Sequence, residues 1–317
     1  MPVSRPTTRI APSPTGALHL GNARTFLVNW AMARQSGWKI VYRIEDLDTP
    51  RVKPGAIGQT TEILTWLGID WDEQAPLQSE NTKPYQQAME MLAEQSMVYP
   101  CTLSRKEIAE AAGAPHAGEH EPRFDPILRP AEIPRSFTEA ATNWRFITPE
   151  TTVSFDDRFA GPISRNPAHT VGDFIVWTQR SQPAYQLAVV IDDHRQGITE
   201  VVRGDDLIDS AARQLLLYRA LNLAPEPTYT HLPLVRGTDG RRLAKRHGDT
   251  RLAHYKDRGV PPERIIALLA RWSGIRNAGD FLTAKDFANR FRLDTMPRGD
   301  LTFTPEDDQW LIEGGSR

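Results

Sequence analysis

Three groups of residues in this chain have the types and spacing to act on charged, phosphorylated substrates. The first is Arg9-Ile-Ala-Pro-Ser-Pro-Thr-Gly-Ala-Leu-His-Leu-Gly-Asn22. Its prolines and glycine turn the chain between a short apolar segment and a helical one, so that His19, Gly21 and Asn22 open a helix. The first N–H groups of a helix have no partner within it and its N-terminus is partly positive, which suits phosphate. Gly21 lets a flat ring lie against the backbone, and His19 can donate to a phosphate oxygen as charge builds during nucleotidyl transfer. The second group is Arg241-Arg-Leu-Ala-Lys-Arg-His-Gly248, a basic loop with Gly240 just before it. Flexible cations of this kind can close on a triphosphate and then release pyrophosphate. The third group is scattered: Arg9, Glu45, Tyr185 and Arg203. Two arginines and a tyrosine can clamp a carboxylate, and Glu45 can take an ammonium group, so the set could read an acidic amino acid. Each group alone is commonplace, since most basic turns are merely solvated and surface ion pairs contribute little. Their meaning depends on convergence.

The elements that must bring them together follow from the apolar pattern. Thr8–Ala11 reads as a short strand. A helix follows from Leu18, with Ala23, Leu27 and Ala31 on one face. Lys39–Ile44 reads as a strand and Pro54–Leu67 as a helix. Strand, helix, strand at this spacing implies a parallel sheet with right-handed crossovers, an α/β fold. Residues 102–165 are rich in proline and charge and read as an insertion that leaves that fold. Ordinary texture resumes at Phe174–Trp177, and Leu187–Ile191 is an apolar run expected of a strand buried on both faces. Asp205 and Asp206 stand in the first turn of a helix running from Leu207 to Leu223. Tyr229–Val235 is a strand with Pro233 near an edge or an end. A helix through Ile265 and Trp272 stops at Gly274. The expected divisions are residues 1–101 and 166–235 for the two halves of the parallel domain, 102–165 for the insertion and 236–317 for the basic loop and C-terminal helices. In such a sheet the strand ends meet at the carboxyl edge, where ligands bind.

Composition sets bounds on function. The 317 residues suffice for a self-sufficient core. The single cysteine, Cys101, rules out an intrachain disulfide and suits a reducing cytosol. No run approaches the ~20 apolar residues of a membrane span, and the first residues lack the apolar core of a secretion signal, so a cytoplasmic protein without membrane contact is expected. A net charge of −2 argues against blanket coating of nucleic acid while leaving room for a basic groove. Aromatic content of 8% and charged content of 25% exclude a disordered chain.

Six ordered pieces then carry a resemblance: Arg9–Gly16, His19–Asn22, Tyr42-Arg-Ile-Glu-Asp-Leu-Asp48, Asp192-Asp-His194, Val202-Arg-Gly-Asp205 and Leu243–Gly248. Together they resemble the class I glutamyl-tRNA synthetases. The first piece leads to that family's "HIGH" signature and the last contains its "KMSKS" signature. The resemblance implies a Rossmann-like doubly wound sheet with an inserted subdomain and a short helical stem-contact region. It implies that glutamate and ATP, with Mg2+, condense to glutamyl-adenylate and pyrophosphate, and that the glutamate passes to a tRNA. Residue by residue, Arg9, Ala11, Ser13, Tyr185 and Arg203 match positions around glutamate, and Glu45 matches the carboxylate for its ammonium group. Pro12, His19, Gly21, Arg242, Lys245 and Arg246 match the ATP side, with His19, Gly21, Asn22 and Lys245 in catalytic positions.

The chain also departs from that family. Asn22 replaces the second histidine of the first signature, Arg242 replaces the first lysine of the loop, and Ala244 replaces its serine. The chain ends at Arg317, about 70 residues past Lys245. That length resembles the shortened paralogues, the glutamyl-queuosine tRNA(Asp) synthetases, which attach glutamate to queuosine at the anticodon wobble position. A monomer acting on tRNA(Asp) is the expectation. The competing readings are charging of the 3' end of tRNA(Glu), a catalytically silent tRNA-binding paralogue and another adenylyl-transferring enzyme. Many paralogues hold zinc in the insertion. Here Cys101 stands at one ligand position, but Leu103, Phe124 and Leu128 stand at the other three and cannot ligate, so apolar packing is expected instead. His116 and His120, four apart among glycines and a proline, read as a solvated loop.

Overall fold

The computed structural model describes residues 5–104, 106–108, 123–138, 141–241, 243 and 249–314. Its strands are β1 (Thr7–Ile10), β2 (Lys39–Tyr42), β3 (Glu73–Gln74), β4 (Val98–Cys101), β5 (Asn143–Phe146), β6 (Val153–Asp157), β7 (Gly161–Arg165), β8 (Phe174–Thr178), β9 (Gln182–Pro183), β10 (Glu200–Gly204), β11 (Thr228–Leu232), β12 (Val235–Arg236) and β13 (Leu301–Thr302). The main sheet has the order β3-β2-β1-β10-β11-β6-β7, parallel throughout except for the β6–β7 hairpin. All four residues of β1 are buried, as a strand covered on both faces requires.

Helix α1 (Leu20–Ser36) crosses from β1 to β2 and stops at Gly37, whose φ of 68° is the left-handed cap that glycine supplies. Two bonds inside the core fix α1 on β1: the Thr8 hydroxyl donates to Asn29 Oδ1 at 2.9 Å, and Asn29 Nδ2 donates to the Arg9 carbonyl at 2.8 Å. Then follow α2 (Ala56–Trp66), α3 (Lys83–Glu94), α4 (Pro167–Thr170), α5 (Tyr185–Arg195), α6 (Ile208–Ala220), α7 (Leu252–Asp257), α8 (Pro262–Trp272), α9 (Ala284–Arg290) and α10 (Pro305–Glu313). The C-terminal helices share one apolar core with α1: Leu268, Leu269 and Phe287 pack in the same cluster as Leu27 and Ala31. Among the described residues no helix is long and apolar enough to cross a membrane.

Three expectations differ from the structure. Leu187–Ile191 is not a strand; it lies within helix α5, in which every residue from Gln186 to Asp193 is buried. A helix buried on all sides shows no 3.6-residue stripe, so its apolar run reads like that of a buried strand. The strand at this place in the chain is β10. The expected insertion 102–165 also divides. Its β5 joins an antiparallel sheet of order β4-β5-β8-β9, while its β6 and β7 return to the main sheet. Phe174–Trp177, expected in the main domain, is β8 of the antiparallel sheet. Aromatic and β-branched strands look alike in either sheet, and their partners are set by contacts distant in sequence.

Near the expected zinc positions, Tyr99, Cys101, Ile108 and Phe124 form a buried apolar cluster on which Leu103 and Leu128 pack. The Arg145 guanidinium lies 4.3 Å above the Phe124 ring. A Cβ on Gly172 would come within 1.9 Å of the Phe124 carbonyl oxygen, so only glycine lets these backbones meet. Of the four positions only Cys101 carries a donor, which does not fit a tetrahedral zinc. His116 and His120 lie outside the described residues. Phe124→Ala should cost about 3–5 kcal/mol of stability in urea denaturation. A loss below about 1 kcal/mol would remove the ring from any structural role.

Candidate active site

β1 and β10 are neighbours, and from them the chain runs outward to opposite edges of the sheet. Such a switch point leaves a crevice beyond the carboxyl ends of the strands. Here the crevice is a cavity of about 220 Å³. The end of β1 brings Arg9, Ala11 and Ser13 to it. The start of α1 brings His19, Gly21 and Asn22, the segment beyond β2 brings Glu45, α5 brings Tyr185 and β10 brings Arg203. The three scattered groups therefore converge where the described residues include them. Pro12 stands beside the cavity; its carbonyl accepts the Glu45 N–H at 3.0 Å and so fixes that residue's backbone. Arg242, Lys245, Arg246 and Ala244 lie outside the described residues. Two described residues of this stretch touch the cavity or the helix that borders it. Leu243 lines the cavity, and the Thr250 carbonyl accepts the Leu20 N–H at 3.1 Å.

His19 is the N-cap of α1. Its Nδ1 accepts from the Gly21 and Asn22 amides at 3.1 and 3.4 Å, while Asn22 Oδ1 accepts the His19 N–H at 3.2 Å. This reciprocal cap explains how asparagine serves at position 22. Because Nδ1 accepts, the neutral ring carries its proton on Nε2, as a donor to phosphate would. Gly21 has a reason beyond ligand access: a Cβ there would sit 3.0 Å from the His19 ring. Gly21→Ala should therefore shift the imidazole and slow adenylate formation about 100-fold, with little change in thermal midpoint. Unchanged turnover would show that the ring position is immaterial.

The side of the cavity that holds Arg9, Glu45 and Arg203 is a buried ionic network. Arg43 is fully buried and links Asp193 Oδ1, at 2.8 Å, to Glu45 Oε1, at 3.2 Å. Arg9 Nε lies 3.5 Å from the same Asp193 oxygen. Burial raises the Glu45 pKa above its ordinary value, with Arg43 and then Arg9 opposing. Arg203 donates from Nε to His231 Nε2 at 3.0 Å, from Nη1 to Gln214 Oε1 at 2.9 Å and from Nη2 to the Leu207 carbonyl at 3.2 Å. A guanidinium has five N–H donors, so one remains on each terminal nitrogen, the number a carboxylate takes in a bidentate pair. Tyr185 stands at the mouth, 41% exposed.

Sequence reasoning missed Arg43, Asp193 and His231. Arg43 had a signal, since residues two apart in extended chain point the same way and Glu45 was already chosen. Asp193 lay within a quoted motif without a role. His231 had none, because it faces Arg203 only through the β10–β11 register, in which the two are partners.

Comparison with known proteins agrees with this geometry. The sequence model described as "tRNA synthetases class I (E and Q), catalytic domain" matches residues 6–307. A protein named glutamyl-Q tRNA(Asp) synthetase from Rhodopirellula baltica is 45% identical over 86% of this chain and 86% of its own length. One of the same name from Symbiobacterium thermophilum is 41% identical over 97% of this chain and 98% of its own. The glutamate–tRNA ligase of Nitrosomonas europaea is 37% identical, but this chain covers only 65% of it. The crystal structure of the glutamate–tRNA synthetase from Elizabethkingia anophelis superposes with a TM-score of 0.80 at 26% identity, over 97% of this chain and 70% of that one. With a doubly wound sheet, a helix-capping histidine at its switch point and a match along nearly its whole length, the chain belongs to the class I (E and Q) tRNA synthetases.

Proposed function

We propose that this protein activates L-glutamate with ATP and transfers it to queuosine at the wobble position of tRNA(Asp). The observation that carries the first half is the gathering of Arg9, Glu45 and Arg203 in one cavity with the opening turn of α1. Arg9, Arg203 and Tyr185 take the side-chain carboxylate, Glu45 takes the α-ammonium group, and Ala11 and Ser13 border the amino acid. The α-carboxylate is left to face the triphosphate. One of its oxygens attacks the α-phosphorus, the bond to the β-phosphate oxygen breaks, and pyrophosphate leaves with the Mg2+ that accompanies ATP. His19 Nε2–H and the helix N-terminus stabilise the charge that develops, and Arg242, Lys245 and Arg246 supply the mobile cations. In the second step a queuosine hydroxyl attacks the activated carbonyl and AMP departs, leaving an ester.

Two relatives named glutamyl-Q tRNA(Asp) synthetase, 45% and 41% identical over 86% and 98% of their own lengths, support this acceptor. The same reading holds the protein to be a cytoplasmic monomer. The test incubates the enzyme with labelled glutamate, ATP and either queuosine-bearing tRNA(Asp) or tRNA(Glu), followed by nuclease mapping. Label on the anticodon fragment of tRNA(Asp) is expected. Label at the acceptor end of tRNA(Glu) would overturn the acceptor, and absence of glutamate-dependent pyrophosphate exchange would overturn the activity.

A further inference from the structure

We infer that His231 and Asp157 are positioning residues for Arg203, holding a neutral imidazole whose Nε2 lone pair aims the guanidinium at the substrate carboxylate. The inference rests on the reading that Arg203 takes that carboxylate. The two side chains of the His231–Asp157 pair are wholly withdrawn from solvent, and His231 Nδ1 lies 2.7 Å from Asp157 Oδ2. The arginine Nε–H can only donate, so Nε2 of His231, 3.0 Å away, must be unprotonated. The ring proton is then on Nδ1 and is given to Asp157.

Asp157 is itself immobilised. Its Oδ1 accepts from the Phe159 and Ala160 amides at 2.9 and 2.7 Å, and its Oδ2 accepts from the His231 amide at 3.1 Å. The order carboxylate, imidazole, guanidinium thus runs across the ends of β6, β11 and β10 into the cavity. A second chain holds the other side of the guanidinium. Gln214, which accepts from Nη1, donates to Gln186 Oε1 at 3.0 Å, and Gln186 donates to the Ser210 hydroxyl at 3.0 Å.

The groups that face the His231 ring are Asp157 from β6, Arg203 from β10, the Leu207 carbonyl, and the Tyr229 and Phe155 rings at 5.6 and 6.5 Å. Burial and then the Arg203 charge push the His231 pKa down while Asp157 pushes it up, and the net direction is down. A proton on Nε2 would set one N–H against another and release Arg203. Asparagine at 157 would do the same without a charge on the ring, because its amide can donate to Nδ1 and send the ring proton to Nε2.

The experiment measures glutamate-dependent ATP–pyrophosphate exchange by the full chain, with KM determined for glutamate and for ATP separately and the thermal midpoint recorded alongside. His231→Ala should raise the glutamate KM about 30-fold and leave the ATP KM within about twofold. His231→Gln, whose Oε1 can still accept from Arg203, should recover most of that loss. Asp157→Asn should raise the glutamate KM about 10-fold. Parallel changes in both KM values, His231→Gln no better than His231→Ala, or a lowered thermal midpoint with unchanged glutamate KM would each overturn the inference. If His231→Ala does not fold, the contrast between His231→Gln and Asp157→Asn decides: an Asp157→Asn value indistinguishable from wild type overturns it. Absence of exchange in the wild-type protein would instead defeat the glutamate reading on which it rests.

Discussion

Arg203→Ala is expected to lower kcat/KM for glutamate by about 100- to 1000-fold while leaving the KM for ATP within about twofold. The size of the effect follows from how Arg203 is held. It is 5% exposed, with three of its donors already bound to His231, Gln214 and Leu207. The site is therefore built before the ligand arrives, and little side-chain entropy is lost on binding. Removing the guanidinium leaves a carboxylate to be buried with one arginine partner fewer, and it also strands His231 Nε2. Arg203→Lys should recover little, because an ammonium cannot satisfy three protein acceptors in that fork and still offer two parallel donors. Exchange kinetics at varied glutamate and varied ATP check the result. Equal effects on the two substrates would remove the carboxylate clamp.

The difference between what was legible in the sequence and what was not has a physical basis. β1, α1, β2 and α2 were readable because each is bounded by its own turn chemistry and each has one period. The Pro-Ser-Pro-Thr-Gly turn before His19 and Gly37 after α1 are local signals that need no knowledge of the rest of the chain. α5 was misread because it is buried all round, which erases the period. The division between the two sheets was misread because pairing such as Tyr229 with Asp157 joins segments far apart in sequence. The site divides along the same line. Arg9, His19 and Glu45 lie at the ends of readable elements and were found. Arg203 was found through its motif, but the partners that make it rigid come from β6, β11 and α6. The second signature was found by its sequence alone. Of its structural counterpart, Leu243 lines the cavity and Thr250, just beyond it, bonds the first turn of α1.

Glu45→Gln separates affinity from stability at the same site. Burial raises the Glu45 pKa, and Arg43 and Arg9 offset this only in part. A carboxyl whose folded pKa lies above its unfolded value costs stability when ionised. That cost is full above the folded pKa and disappears as pH falls through the folded value to the unfolded one. When Glu45 is ionised the protein bears a charge that its own fold disfavours, and in the proposed reading the ammonium group of the substrate is its partner. Glutamine keeps an oxygen for Arg43 Nη2, which now meets Glu45 Oε1 at 3.2 Å, and removes the charge. Arg43 keeps Asp193 at 2.8 Å. The variant should have a thermal midpoint at pH 7.5 equal to or above that of the wild type, yet a glutamate KM raised about 30- to 100-fold by loss of a charge-assisted bond. The wild-type glutamate KM should also climb as acid protonates Glu45, with its inflection above the ordinary glutamate value of about 4.3, and the variant should keep only the later rise that the substrate's own side-chain carboxyl causes near that value. A variant that binds glutamate as tightly as the wild type, or one whose glutamate KM retains the same acid limb, would show that the ammonium group is held elsewhere.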